Sequence, residues 1–423
     1  MASVVQLADE VLVGVLSWLS ADGLVLSRQV CQDWLRVADD DLLWRPLVTS
    51  VLPKDEAWAA QLGGPGGWRG LYIFKHRFDQ YWDHQVSMSW KLVEDPLRLT
   101  QTDQCAMAVL DDYVYLFGGR MGQVASSDLW VYSASKGKKL RGIVMQRPRA
   151  QYSTADEWPA GRIYSNAAVT EDRYLYVFGG SGDWGALFNE LWVFDTVTHR
   201  WKEVEATGDP PQARWTQSVT AVGKRLFVFG GWTHDANFND LHIFDTETKQ
   251  WSIGEMKGDI PPPLGCHTAS LVGKYIFIYG GDDAQLHIYH DIYRLDTESL
   301  VIEKLAIKGE LQPERRESHD GVVVGNHIIY YSGQRGTDIA IFNTDALTWH
   351  HPRIKGGPVG LNWHKLSFVG NKIQVWFGAT EDPLPSKRSV GIISLTPEFG
   401  QQGPWKEART RRAKDKCVTA VGT

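Results

Sequence analysis

Six short segments of this 423-residue chain end alike. YVYLFGG ends at Gly119, YLYVFGG at Gly180, RLFVFGG at Gly231 and YIFIYGG at Gly281; two degraded copies, IIYYSG and IQVWFG, end at Gly333 and Gly378. The steps between them are 61, 51, 50, 52 and 45 residues. An apolar, aromatic run that stops at paired glycines reads as a strand ending where neighbouring backbone crowds it and a side chain would not fit. Repetition at a period near fifty means one supersecondary unit copied along the chain, no copy able to bury its apolar face alone.

The rest of each unit agrees. Ahead of the run stands another strand and a two-residue turn: Gly223-Lys224, Gly273-Lys274, Gly325-Asn326 and Gly370-Asn371. Glycine there supplies the positive φ of a tight hairpin. The first two units use Asp111-Asp112 and Glu171-Asp172, weaker turn formers. After the glycines come a polar loop, a third strand and a turn at Asp195-Thr196, Asp245-Thr246, Asp296-Thr297 or Asn343-Thr344, whose side chains can bond local backbone. A tryptophan then opens a fourth strand, seven residues after an aromatic, from Phe194 to Trp201, Phe244 to Trp251 and Phe342 to Trp349. Ile302 takes that place in unit four and Lys139 in unit one.

Four short strands per unit at this period predict a mostly β chain folded as a propeller, with the aromatic and the tryptophan filling the wedge between neighbours. Nineteen Trp, fifteen Tyr, fifteen Phe and forty-one Gly suit many short strands and tight turns. A propeller must also close. SWKLVED at Trp90 matches RWKEVEA at Trp201 and reads as a fourth strand with no blade of its own, expected to complete the last blade; the rival is PWKEA at Trp405.

The pattern from Gly118-Gly119 to Gly378, with these aromatics, resembles the kelch-repeat family over about three quarters of the chain. The resemblance implies a six-bladed kelch propeller over residues 86–400. Units five and six depart from it, with SG and FGA for the glycine pair, and unit one lacks the closing tryptophan.

Residues 1–50 are different. Leu12, Val15, Leu16 and Leu19 recur at helical spacing, and further helices are predicted over Leu24 to Val30 and Cys31 to Val37. Such a thin all-α unit has surplus apolar surface and calls for a partner. The order of Leu7, Glu10, Leu12, Leu16, Leu19, Val30-Cys31, Trp34 and Leu43-Trp44 resembles the F-box family, with Ala8 where the family has proline and Gly23 as a poor helix residue. The resemblance implies docking onto a Skp-family adaptor, and through it a cullin, by Leu7, Val11, Leu12, Leu16, Leu19, Val30, Cys31, Trp34 and Trp44. Residues 51–85 read as a helical linker broken by GGPGG at Gly63 to Gly67, and residues 401–423 as a basic, disordered tail.

The remaining signals exclude more than they suggest. A net charge of −6 argues against a general nucleic-acid binder, and no apolar stretch reaches the length of a membrane span. The N-terminus lacks a basic leader, and the four cysteines are far apart, so the cytosol or nucleus is the expected compartment. Some kelch proteins are enzymes. A galactose-oxidase-like copper site needs a Cys-linked Tyr, and no pattern marks Cys266 for that. The iron site of nitrile-specifier proteins needs E-x-x-x-D-x-x-x-H, but Glu205-Asp209 and Glu255-Asp259 are followed by Ala213 and Pro263. No GxSxG or phosphate loop is present, so no catalytic residue, metal or cofactor is expected.

What remains is a binding face. Loops between blades, with those after the glycine pairs, should gather Arg120, Arg162, Trp184, Arg214, Trp215, Trp232, His267, Arg315, Arg316, His319, Arg335 and Trp363 at one end, and Trp and Arg are frequent interface anchors. Some of these tryptophans are expected to pack loop on loop. The expectation is a non-enzymatic substrate receptor of an SCF-type cullin-RING ubiquitin ligase. The alternatives are a kelch scaffold of the cytoskeleton or of complex assembly, and an iron-dependent kelch enzyme.

Overall fold

The computed structural model describes residues 87–94, 103–133, 141–145, 158–283, 285–309, 315–331, 339–355, 361–369, 372–376, 379–380 and 389–394. The expected F-box, the linker and the tail lie outside the described residues. Among those described there is no α-helix, and six sheets of four or five strands dominate.

Each sheet is built on consecutive antiparallel strands. In the third, Ser218–Val222 pairs with Arg225–Trp232, which pairs with Asn237–Asp245, which pairs with Gln250–Ile253. The turns are those the sequence predicts: Gly223 and Gly273 sit at φ 57° and 60°, and Asp111, Glu171 and Asp172 adopt positive φ without glycine's freedom. Asp195, Asp245, Asp296 and Asn343 each accept hydrogen bonds at Oδ1 from the amides two and three residues on. These Asx turns fix the approach to the fourth strand.

The first strands of the sheets stand side by side in sequence order. Ala106–Leu110 neighbours Asn166–Thr170, then come Ser218–Val222, Thr268–Val272, Asp320–Val324 and Lys365–Val369, and the last contacts Ala106–Leu110 again. This circular order is a β-propeller. The seam is made by the chain's early strand: Ser87–Glu94 pairs antiparallel with Ser389–Ser394, Trp90 opposite Ile393. Its other edge takes a parallel segment, Arg353–Lys355. Thr207–Gly208 and Lys257–Gly258 lie the same way against the fourth strands of sheets three and four. Ser87–Glu94 therefore occupies a fourth-strand place, as expected from Trp90.

The core lies in the wedges between sheets. Trp251 packs on Phe244 of its own sheet at 5.0 Å and on Phe178 of the preceding one at 5.4 Å. Trp201 does the same with Phe194 and Phe117, and Trp349 with Phe342 and Tyr279. At the seam Trp376 meets Tyr132 at 4.5 Å. Burying rings of this size supplies much of the hydrophobic stabilisation. One expectation is corrected. In the first sheet the position opposite Tyr132 is Gly142, not Lys139, because the connection into Arg141–Met145 is longer than in the other units.

Candidate functional site: the mouth of the ring

One end of the ring is built by the residues that lead into each first strand. Gln104, Tyr164, Thr216, Cys266, Ser318 and Trp363 share this place, and all six have φ between 54° and 64°. That conformation is costly for a side chain, and here the surrounding backbone holds it. The amide of each residue donates to the carbonyl of the one before: Tyr164 to Gln104 (2.8 Å), Thr216 to Tyr164 (3.1 Å), Cys266 to Thr216 (3.3 Å), Ser318 to Cys266 (3.2 Å) and Trp363 to Ser318 (3.2 Å). Gln104 donates to Trp363 and completes the circle. Inside it lies a cavity of about 60 Å³, lined by these residues and by Cys105, Gln217, His267, His319 and His364.

Arg162 and Arg214 hold the circle to the sheets. The Arg214 carbonyl accepts from the Gly180 amide at 2.8 Å, while its guanidinium donates to the Gly230 carbonyl at 2.9 Å. Both Asp240 oxygens take a further pair of bonds at 2.6 and 2.9 Å, and the guanidinium lies over the Phe238 ring. Arg162 repeats the plan with Gly119, Gly179 and Phe188. Each arginine thus ties one glycine pair to the next, and this answers why the pairs exist. A Cβ on Gly231 would lie 2.8 Å from the Trp215 carbonyl oxygen, and its φ is 98°.

These contacts correct the expected face. Arg162, Arg214 and Arg316 are fully buried, so none is an exposed anchor, and the first two are clamps. A buried guanidinium persists because carbonyls and carboxylates replace its water. His267 and His319 are also buried, reaching back to Ser218 Oγ at 2.9 Å and Thr268 Oγ1 at 3.2 Å. Burial depresses the His267 pKa to about 3 and that of His319 well below the usual range. Both imidazoles therefore line the cavity in neutral form.

Other expected residues do meet solvent. Trp184 is fully exposed at a loop tip, Arg315 is exposed, and Arg120, Trp215, Trp232 and Trp363 are half-buried. Arg335 lies outside the described residues. Tyr164, not singled out from the sequence, joins them: its ring meets Trp215 edge-on at 5.3 Å and Trp363 at 4.7 Å. Leu286, exposed at the corresponding loop of the fourth sheet, was missed too. In the GRIYS, ARWTQS and LNWH segments the place before the first strand is held by Tyr164, Thr216 and Trp363, so an aromatic recurs there in only two of the three and the sequence signal for Tyr164 is weak. Arg120 donates to Gln104 Oε1 at 3.3 Å on one side of the mouth. The fourth and fifth sheets place Cys266, Asp282 and Glu317 together, all buried. Burial, with the hydrogen bond to Glu317, raises the Asp282 pKa, and burial pushes the Cys266 thiol up.

A closed ring of glycine-paired sheets with an aromatic mouth is, in class, a β-propeller built from repeats. The sequence families agree: residues 144–333 match the KLHDC2/KLHL20/DRC7 Kelch-repeats domain, residues 102–138 the Kelch motif, and residues 7–50 the F-box-like family. The chain belongs to the F-box/kelch-repeat proteins. Among curated relatives, Host cell factor of Drosophila melanogaster is 28% identical over 234 residues, 50% of this chain and 12% of that protein. Rab9 effector protein with kelch motifs of Gallus gallus is 41% identical over 80 residues, 18% of this chain and 21% of its own length. Leucine-zipper-like transcriptional regulator 1 homolog of Drosophila melanogaster is 31% identical over 127 residues, 30% and 12% respectively. The chain thus spans a fifth or less of two of these relatives and 21% of the third.

Proposed function

We propose that this protein is the substrate-recognition subunit of an SCF-type cullin-RING ubiquitin ligase, and that its six sheets act as the six blades of one closed propeller. F-box domains generally bind Skp-family adaptors, and kelch propellers bind protein partners. The observation that carries the reading is their combination in one chain, an F-box-like segment at residues 7–50 ahead of a kelch ring with an exposed aromatic mouth. The chain then supplies proximity and orientation rather than bond chemistry, by holding a protein on Tyr164, Trp184, Trp215, Trp232, Trp363 and Leu286 while the adaptor brings the cullin. Such activity is at home in the cytoplasm or nucleus.

The relatives favour a second reading as a kelch scaffold, since they align through part of this chain and carry names such as effector and transcriptional regulator. Paired interaction proteomics separates the two. A Trp184→Ala/Trp232→Ala variant should keep ligase subunits and lose candidate substrates, and Leu12→Asp, which puts a charge into an apolar interface, should do the reverse. Retention of Skp-family adaptor and cullin by Leu12→Asp, or their absence from the wild type, rejects the ligase reading.

A further inference from the structure

Three buried side chains at the mouth have no part in clamping the ring. Cys266 comes from the segment leading into the fourth sheet, Asp282 from the loop after its glycine pair, and Glu317 from the segment leading into the fifth. One donor atom of each, a sulfur and two carboxylate oxygens, lies within 4.8 Å of the others. Asp282 is 2% exposed, and its Oδ1 has no hydrogen-bond partner. A buried oxygen without a donor costs free energy unless something fills the place.

The backbone holds these donors in position. Gly265 and Asp282 exchange two hydrogen bonds of 3.0 Å, the Cys266 amide is fixed to the Thr216 carbonyl, and the Ser318 amide beside Glu317 is fixed to the Cys266 carbonyl. Preorganised ligands on rigid backbone are what a tight ion site requires. A thiolate with two carboxylates favours a borderline-soft divalent cation over calcium or magnesium, which take oxygen alone. The ligands lie 16 and 35 residues apart, so no motif of ligand spacing announces them.

We infer that Cys266, Asp282 and Glu317 form a zinc-type divalent cation site that joins the fourth and fifth sheets at the mouth of the ring. Three protein ligands leave a fourth position for water in a tetrahedral shell. The ion would offset the clustered negative charge and tie together the loops that flank the proposed binding face.

The test uses the full-length chain, stripped of metal and titrated with cobalt(II), whose thiolate charge-transfer band reports a sulfur ligand. One equivalent should produce the band, and zinc should displace it. Cys266→Ser should abolish the band, and Asp282→Asn or Glu317→Gln should weaken binding by about tenfold or more. No band in the wild type overturns the inference and leaves a carboxyl pair sharing a proton. A band that survives in Cys266→Ser also overturns it, since the sulfur then belongs to another cysteine. Should Cys266→Ser fail to fold, Glu317→Gln decides: unchanged cobalt affinity there rejects the site. These readouts do not involve ligase subunits, so they fail or succeed independently of the ubiquitin reading.

Discussion

The amide nitrogen of Gln104 lies 3.5 Å from the carbonyl oxygen of Trp363, the longest of the six links in the mouth's hydrogen-bonded circle. It joins residues 259 apart in sequence, where the first repeat meets the last. The other five links join consecutive repeats. The seam is thus weakest at the mouth and is secured at the periphery by Ser87–Glu94, held between Arg353–Lys355 and Ser389–Ser394.

Removing that strand should open the ring. A chain beginning at residue 76 is expected to melt cooperatively at the temperature of the full ring, while one beginning at residue 99 should unfold or aggregate, because Arg353–Lys355 loses its partner and Ser389–Ser394 is left with one open edge. Leu92→Pro, which puts a proline inside the strand paired with Ser389–Ser394, should lower the melting temperature as well. Equal melting of the two truncated chains would mean that another segment closes the seam.

The clamp at Arg214 should matter for stability rather than for partner binding alone. Arg214→Ala takes the guanidinium from the Gly230 carbonyl and from Asp240, which keeps only its bond to His242 Nε2, at a cost of about 3 kcal/mol, the lower end for a broken buried pair because Asp240 is partly exposed. Arg214→Lys should recover little, since an ammonium cannot reproduce the two-pronged bond. Urea unfolding checks both; a loss under about 0.5 kcal/mol, as at an ordinary surface site, would refute the clamp.

Acid should draw down the stability that the buried neutral histidines contribute. His267 has a folded pKa near 3 against an unfolded value near 6.5, so the unfolded chain takes up the proton first. This contribution is complete above pH 6.5 and is lost as pH falls toward 3, amounting to about 2 kcal/mol by pH 5. His319, shifted the same way, adds to the slope. His267→Gln should flatten the stability curve between pH 7 and 5; parallel curves for the two proteins would show that His267 does not drive it.

Trp184 sits at φ 61° and ψ 22° with its side chain in solvent. Glycine accepts that backbone, so Trp184→Gly should leave the melting temperature nearly unchanged, relief of strain offsetting the greater freedom of the unfolded chain. If Trp184 anchors the captured protein, its removal should cost about 2 kcal/mol, roughly thirtyfold in affinity. Calorimetry with an identified partner reads both; unchanged affinity moves the binding face elsewhere.

The amino-acid sequence by itself determined the repeats, the hairpin turns, the Asx turns and the strand at Trp90, because each rests on local backbone chemistry repeated at fixed offsets. Gly223 needs positive φ, and Asp245 caps its own turn, whatever lies around them. Which polar residues face a partner was decided only by the tertiary structure. Arg214 and Trp215 are adjacent in the chain, yet one is sealed against Gly230 and Asp240 while the other stands at the mouth. Likewise Cys266 gains its carboxylate neighbours only when two sheets meet. Burial and donor grouping are properties of how the blades pack around the ring, set by contacts between segments dozens of residues apart, and no local pattern encodes them.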